Sequence, residues 1–326
     1  MQDAVERALY QLGSCQMPIE SFKVRSVGRT DKGVHAKEQM VCFDYSFHKF
    51  NTGSAPNILE AGRENSIPLN KKQKTQSLNE KYRYDVLFRK CSTAGEKNSS
   101  YAISMIRSFN SYLPEDVAVK SIQRCRLGLQ PRKEASWKIY AYQIRYEHCN
   151  LAVKPPSKLN RGVHSIRSPF DRYFTWTCPW SLDSSILNDL CQNLSGFYDY
   201  YNFVHKKERN KKEHKMQIQI QLDMKKESFS EKYDEMDQQA IENSNLDVDV
   251  RFITVRFKSK DGFRRSMVRN LVGFMVDGAR GKFGEELNAI RKGIFTPNDK
   301  TAAYIHSAPA CGLCLEKVQF IHGIFP

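Results

Sequence analysis

Apolar residues recur along the chain at two spacings, which predict two kinds of secondary structure. Spacing of three to four residues, typical of an amphipathic helix, occurs in segments 1–13, 102–113, 181–197, 263–279 and 285–294. Alternation of apolar and polar residues, typical of a strand, occurs in segments 24–28, 39–44, 116–125, 137–147, 250–259 and 311–320. Helices and strands therefore follow one another in both halves of the chain, and no short-period repeat is present.

Two long stretches lack this periodicity. Residues 46–98 and 206–246 are rich in Asn, Lys, Ser and Gln, and we expect both to be polar insertions. Within the first, 82–88 (YRYDVLF) is a candidate for an isolated strand. We place an N-terminal domain at 1–128 and a C-terminal domain at 129–326, each with one insertion.

The charge balance says more about possible binding partners than the overall composition does. The 326 residues include 51 Lys+Arg against 36 Asp+Glu, a net charge of +15, which favours a polyanionic partner such as nucleic acid. Charge alone also fits a highly soluble protein without such a partner. The nine cysteines form no paired framework, and neither an export signal nor a long apolar run is present, so we expect reduced thiols in an intracellular protein outside membranes, whether nuclear, cytoplasmic or organellar.

The densest polar cluster is Gly-Arg-Thr-Asp-Lys-Gly-Val-His-Ala at 28–36, between two predicted strands. It is not a phosphate-binding P-loop, because Val34 and His35 stand where that motif has Lys and Ser or Thr, and because a strand follows instead of a helix. Two interpretations stay open. The cluster is a hairpin turn that only bends the backbone, or it is a turn that also presents the Asp31 carboxylate for catalysis.

The predicted helix at 263–279 has an apolar arc too wide for a surface helix, so it should be largely buried. Arg269 lies beside Val272 and Val276 on this helix, and a guanidinium in such a place needs a carboxylate partner. Alternatively, Arg265 and Arg269, four residues apart, form a solvated stripe or contact phosphates.

Tyr140 belongs to an unusually aromatic strand, where its ring either packs in a core or stacks on a displaced base. The Cys311-Gly-Leu-Cys314 pair has no second pair at zinc-site spacing, and the eight histidines show no paired ligand spacing. A metal site or a redox role is therefore not expected.

Six ordered segments resemble the TruA family of tRNA pseudouridine synthases. They are GRTDKGVHA, FNSYLPEDVAV, RKEASWKIYAY, LSGFYDYYNF, FRRSMVRNLVG and DKTAAYIHSAPACGLCLEKVQF, and they are spread in order along the chain outside the two insertions. The sequence before Tyr140 and around Asp199 is more similar to that of eukaryotic family members that modify several tRNA positions. The resemblance departs from the family where Tyr198 replaces a His, where Leu129-Gln-Pro replaces Phe-His-Ala, and at the start, where the chain opens within the first helix and a strand with a Gly-Trp-Gln turn would precede it.

The resemblance implies a fold and an activity. The fold would be α+β, with two similar α/β units, mainly antiparallel sheets that meet at a central catalytic cleft, and helices on the outer faces. The activity would be isomerisation of uridine to pseudouridine in tRNA, without a cofactor. Asp31 would be the catalytic aspartate, Tyr140 would stack on the flipped base, and Arg269 would pair with Asp31.

Other residues would contact the substrate, and we expect Arg29, Thr30, Lys32, His35 and Arg132 in this group. The partner would be tRNA, and the sequence leaves open whether the protein is a monomer or a homodimer. Two alternatives are a catalytically inactive tRNA- or RNA-binding protein of the same fold, and a general basic RNA chaperone.

Overall fold

The computed structural model describes residues 2–12, 22–45, 84–87, 96–125, 129–148, 169–210, 213–227 and 249–320. Of these, the described residues within 1–28, 39–134 and 320–326 form one compact unit, and those within 29–38 and 135–319 form a second. Residues 29–34, which we call the Asp31 turn, thus cluster with the second unit, whereas the sequence analysis assigns them to an N-terminal domain. Both units combine helices with sheets of mostly antiparallel strands, as predicted.

The first unit is built on a four-stranded antiparallel sheet. Its elements are helix α1 (Gln2–Leu12), strands β1 (Arg25–Ser26), β3 (Val41–Tyr45) and β4 (Tyr84–Leu87), helix α2 (Glu96–Tyr112), strand β5 (Gln123–Cys125) and the short helix α3 (Pro131–Glu134), with strand order β1-β3-β4-β5. The predicted periodicity of α1 is confirmed, since Val5, Ala8 and Leu9 are buried in one cluster with Phe43 and Phe109. The isolated strand predicted at 82–88 corresponds to β4, and the remainder of that insertion before Glu96 lies outside the described residues.

The strand predicted at 116–125 is mostly wrong, because only Gln123–Cys125 is extended in a sheet. The side chain of Asn110 on α2 binds both backbone groups of Val119: its Nδ2 donates to the carbonyl at 3.1 Å, and its Oδ1 accepts from the amide at 2.7 Å. Since a helix side chain satisfies these groups, this part of the segment needs no neighbouring strand.

The second unit is built on a seven-stranded sheet. Its elements are β2 (His35–Ala36), β6 (Ala135–His148), β7 (Trp176–Thr177), α4 (Ser184–Asn193), β8 (Gly196–Asp199), β9 (Lys215–Glu227), β10 (Asp249–Ser259), α5 (Met267–Ala279), α6 (Leu287–Gly293), α7 (Asp299–Ala303) and β11 (Leu313–Phe320). The order is β2-β11-β6-β10-β9-β8, with β7 paired to β6. The central β6, β10 and β9 are antiparallel, whereas the short β2 and β7 run parallel to their partners.

One continuous core fills this unit, to which the central sheet, α4 and α5 all contribute. Asp183 caps the start of helix α4, because its carboxylate accepts hydrogen bonds from the amides of Ser185 and Ile186. Helix α5 contacts α4 closely, since a methyl group on Gly278 would lie 2.6 Å from a carbon of Leu190. The predicted burial of α5 is confirmed.

The polar insertion predicted at 206–246 is wrong for its first half. Residues 215–227 form β9, which pairs with β10 over most of its length. Met216 and Ile218 are buried on one face while Gln219 and Gln221 are exposed on the other, so this is a half-buried strand of period two. The high Gln and Lys content concealed that alternation. Among the described residues, no helix has the length and apolar character needed to cross a membrane.

Candidate active site

The Asp31 turn is a tight reverse turn held at both ends. The amide of Val34 donates to the carbonyl of Asp31 at 3.0 Å, and Gly33 has φ +80°, a value that favours glycine in the third position of such a turn. Strand β2 follows and pairs in parallel with Cys314 and Leu315 of β11. The turn therefore leads into the edge of the second unit's sheet and is not a simple hairpin, because β1 pairs with β3 instead.

Tyr140 lies on β6 next to this turn. Its ring is partly buried and meets the ring of Phe263 edge-on at 5.4 Å. Burial raises the pKa of Tyr140 to about 12, and the negative charge of Asp31 adds to the rise. The Asp31 carboxylate is therefore within electrostatic range of the Tyr140 phenol.

The cation paired with Asp31 is Arg265. Its Nε lies 3.9 Å from Asp31 Oδ1, and the side chains of Arg265 and Asp31 are 57% and 33% exposed, respectively. The backbone amide of Arg265 donates to Glu208 Oε2 at 3.3 Å, which fixes the segment before α5. At this separation and exposure the pair is screened, and it contributes little to stability on its own.

Arg269 does not make the predicted ion pair with Asp31 among the described contacts. Its Nε donates to the carbonyl of Ala308 at 2.7 Å, and the amide of Ala308 donates back to the carbonyl of Arg269 at 3.0 Å. Its charge also acts on Tyr142, whose pKa is raised by burial and lowered in part by Arg269. Arg269 therefore lies beside the second tyrosine of the strand face that carries Tyr140.

Helix α5 starts later than its hydrophobic pattern predicts, which explains why Arg265 and not Arg269 pairs with Asp31. Ser266 has φ +58°, in the left-handed region, and the helix begins at Met267. Arg265 therefore lies on a turn before the helix, so it shares no helical stripe with Arg269. The solvated stripe considered from the sequence is wrong for this reason.

A chain segment that crosses α5 holds Arg269 in place. Gly273 allows this approach, because a methyl group there would lie 1.8 Å from the carbonyl oxygen of His306. Asn270 donates to the carbonyl of Phe203 at 2.7 Å and accepts a hydrogen bond from the Ser307 hydroxyl. These contacts use residues that no sequence pattern singled out.

The predicted substrate-binding residues are arranged unevenly. Arg29 and Lys32 are exposed on the Asp31 turn, Thr30 is partly buried there, and His35 on β2 contacts the ring of Phe174 at 4.6 Å. Arg132 is exposed on α3, in the first unit. The structure thus groups four of the five in the unit that carries Asp31.

Within the described part of the chain, no three His, Cys, Asp or Glu side chains are grouped as metal ligands. Both cysteines of the Cys-Gly-Leu-Cys pair are in the thiol form. Burial raises the pKa of Cys311, whose Sγ lies 3.8 Å from the carbonyl of Thr175 and is in hydrogen-bonding contact with it. A methyl group on Gly312 would collide with Tyr142, so this pair serves close packing against β6.

Comparison with known proteins shows which synthases this chain is similar to. A family model described as tRNA pseudouridine synthase matches residues 190–320. A tRNA pseudouridine synthase A of Geobacter sulfurreducens is 25% identical over 98% of this chain and 89% of its own length. The chain is similar to TruA-type synthases. Synthases of the same name from Thermodesulfovibrio yellowstonii (24% identical, 65% of this chain, 69% of the relative) and Pelobacter propionicus (23%, 98% and 89%) are also similar.

The synthase family match contains Arg265 and Arg269 but not Asp31 or Tyr140, whereas the longer alignments span nearly the whole chain. Arg265 is the cation beside Asp31 that the sequence analysis does not assign to the site. The available signal was Ser266, a poor helix interior residue directly before a strong apolar run, which marks a helix start.

Proposed function

We propose that this protein is a tRNA pseudouridine synthase in which Asp31 is the catalytic group. Both the family model and the relatives' names support tRNA pseudouridine synthase activity. The observation that carries the assignment of residues is the grouping of Asp31, Tyr140 and Arg265 within one compact unit.

The reaction breaks the N1–C1′ bond of uridine, rotates the base, and joins C5 to C1′, after which C5 loses its hydrogen to solvent. Reactant and product are isomers, so the step needs no oxidant, reductant or energy source. Asp31 acts either as a nucleophile or as a general base, and it acts either on the sugar or on the uracil ring. Both roles place a negative charge at Asp31, and the nearest cation is the Arg265 guanidinium, whose Nε lies 3.9 Å from Asp31 Oδ1.

Tyr140 holds the flipped base. Its ring is fixed by Phe263 on one edge, and its high pKa keeps the phenol neutral at physiological pH. Arg265 is the residue that neutralises Asp31, and Arg269 supports the site through Ala308. Extraction of the base from its stack costs a few kcal/mol, and phosphate contacts of Arg29, Lys32 and the surrounding basic surface offset this cost.

Three finer points belong to the same proposal. Arg132 contacts the substrate backbone together with Thr30 and His35. The chain folds as two similar α/β units. It acts on tRNA inside the cell and modifies several tRNA positions. The relatives described above are all bacterial, and they do not support a multisite type of synthase.

Release of label from tRNA tritiated at uridine C5 tests the catalytic role of Asp31. The Asp31→Asn variant should abolish release and leave tRNA affinity within about twofold, because the carboxylate is required for chemistry and contributes little to phosphate binding. Asp261→Asn is a matched control, since this exposed aspartate lies in the same unit. Release from Asp31→Asn at the rate of the unaltered protein would refute the assignment.

The alternative of an inactive RNA-binding protein predicts a different outcome. The unaltered protein would bind tRNA and release no label, and Asp31→Asn would change neither property. A basic RNA chaperone would in addition bind any RNA of equal length with the same salt dependence.

A further inference from the structure

A short turn beside the candidate active site carries exposed aromatic rings. In residues 169–174, Phe170 is 87% exposed, Tyr173 59% and Phe174 55%. Isolated exposed aromatic side chains are common, but three within five residues form an apolar surface that a soluble protein rarely leaves in water without use. We call residues 169–174 the aromatic turn.

The aromatic turn is firmly anchored although its rings are exposed. The amides of Phe174 and Thr175 both donate to the carbonyl of Asp171, at 2.8 and 2.9 Å. Thr175 is buried, and the strand that follows pairs with β6 at Trp176 and Thr177. The rings are therefore presented from a backbone of fixed shape, which lowers the entropic cost of binding a partner.

A cation is built into this surface. The guanidinium of Arg172 lies 4.6 Å from the centre of the Tyr173 ring, and its Nη2 donates to the Tyr173 hydroxyl at 2.8 Å. A flat guanidinium on an aromatic ring offers both a stacking face for a base and a positive charge for a phosphate.

The aromatic turn also adjoins the Asp31 turn. The ring of Phe174 lies 4.6 Å from that of His35, which follows Asp31 by four residues and sits on the edge strand β2. Arg29 and Lys32 are exposed on the same Asp31 turn, and neither has an ion pair among the described contacts. Exposed rings, an embedded guanidinium and unpaired cations thus occur side by side in one unit.

We propose that the aromatic turn is a stacking platform for unpaired bases of the RNA that flank the target uridine. This inference rests on the proposed function, since it places the platform next to the nucleotide that Asp31 acts on. Single-stranded nucleic acid binding combines this kind of aromatic stacking with positive charge along the backbone. A purely apolar protein partner would not require Arg172 or the neighbouring cations.

Binding of two RNA probes with the same number of phosphates tests the platform. The probes are a single-stranded oligouridylate and an RNA duplex, each measured with the full chain by fluorescence anisotropy. The double variant Tyr173→Ala/Phe174→Ala should weaken single-strand binding about tenfold or more and change duplex binding less than twofold. The salt dependence of binding should stay unchanged, because the phosphate contacts remain.

Phe197→Ala is the matched control. Phe197 is 65% exposed and lies on β8, at the opposite edge of the same sheet, so its loss should leave both affinities unchanged. An oligouridylate with one 2-aminopurine reports stacking directly: its fluorescence should be quenched by the unaltered protein and recover in the double variant.

Equal losses for both probes, an equal loss in Phe197→Ala, or no loss in the double variant would each overturn the platform; the last would point to a different occupant, such as a protein. These readouts require no turnover. Failure of the tritium-release test together with selective loss of single-strand binding would therefore refute the catalytic proposal and leave the platform as an RNA-binding surface.

Discussion

Substitution of Gly273 by alanine should destabilise the second unit, although alanine is the better helix former. The new methyl carbon would lie 1.8 Å from the carbonyl oxygen of His306. Since carbon and oxygen normally approach to about 3.3 Å, the chain around His306 must move away from α5 by roughly 1.5 Å. The colliding atom belongs to the backbone, so a side-chain rotation cannot relieve the clash.

The free-energy cost follows from the contacts that this movement breaks. The two bonds between Arg269 and Ala308, at 2.7 and 3.0 Å, would both exceed hydrogen-bonding distance. A neutral bond contributes about 1 kcal/mol and one to a charged group about 2 kcal/mol, while the gain in helix propensity is about 1 kcal/mol. The net loss is about 2 kcal/mol, or roughly 4–8 °C in Tm for a unit of this size.

Urea and thermal unfolding of Gly273→Ala beside Gly293→Ala would measure this loss. Gly293 is also helical, at the end of α6, and a methyl group there meets nothing within 4 Å, so Gly293→Ala should be neutral or slightly stabilising. Equal stability of the two variants would show that the segment at His306 is not held against α5, and the described support of Arg269 would then be wrong.

Sequence periodicity predicts an element well when one of its faces is buried and its backbone hydrogen bonds lie within a helix or join it to a regular neighbouring strand. Helix α1 and strands β6 and β10 belong to this group. Strand β9 was missed because glutamine and lysine dominate its composition, although Met216 and Ile218 keep the alternation that a buried face requires. Composition concealed a pattern that was present in the sequence.

Positions within the candidate site were predictable only in part. The grouping of Asp31 with Tyr140 was predicted from motif resemblance, but the choice between two arginines depends on where α5 begins. That boundary is set by the left-handed backbone of Ser266 and by the hydrogen bond from the Arg265 amide to Glu208. Contacts between residues far apart in sequence decide such a boundary, and the sequence pattern does not contain them.

Three further predictions concern ionisable groups. A double-mutant cycle of Asp31→Asn with Arg265→Gln should give a coupling free energy below about 1 kcal/mol in urea unfolding, and a cycle with Arg269→Gln should give none; a coupling only to Arg269 would contradict the described pairing. Asp277→Asn should cost about 2 kcal/mol in thermal melts, because the buried Asp277 carboxylate accepts from two partly exposed cations at 2.7 Å; an unchanged Tm would contradict this value. The pKa of Tyr140 is raised to about 12 from an ordinary 10.0, so its contribution to stability is complete below pH 10 and is lost as the pH rises to 12, when the unfolded state ionises first. Tyr140→Phe should therefore lose on the order of 2 kcal/mol less stability between pH 10 and 12 than the unaltered protein, and parallel curves for the two proteins would mean that Asp31 and burial do not act on this phenol.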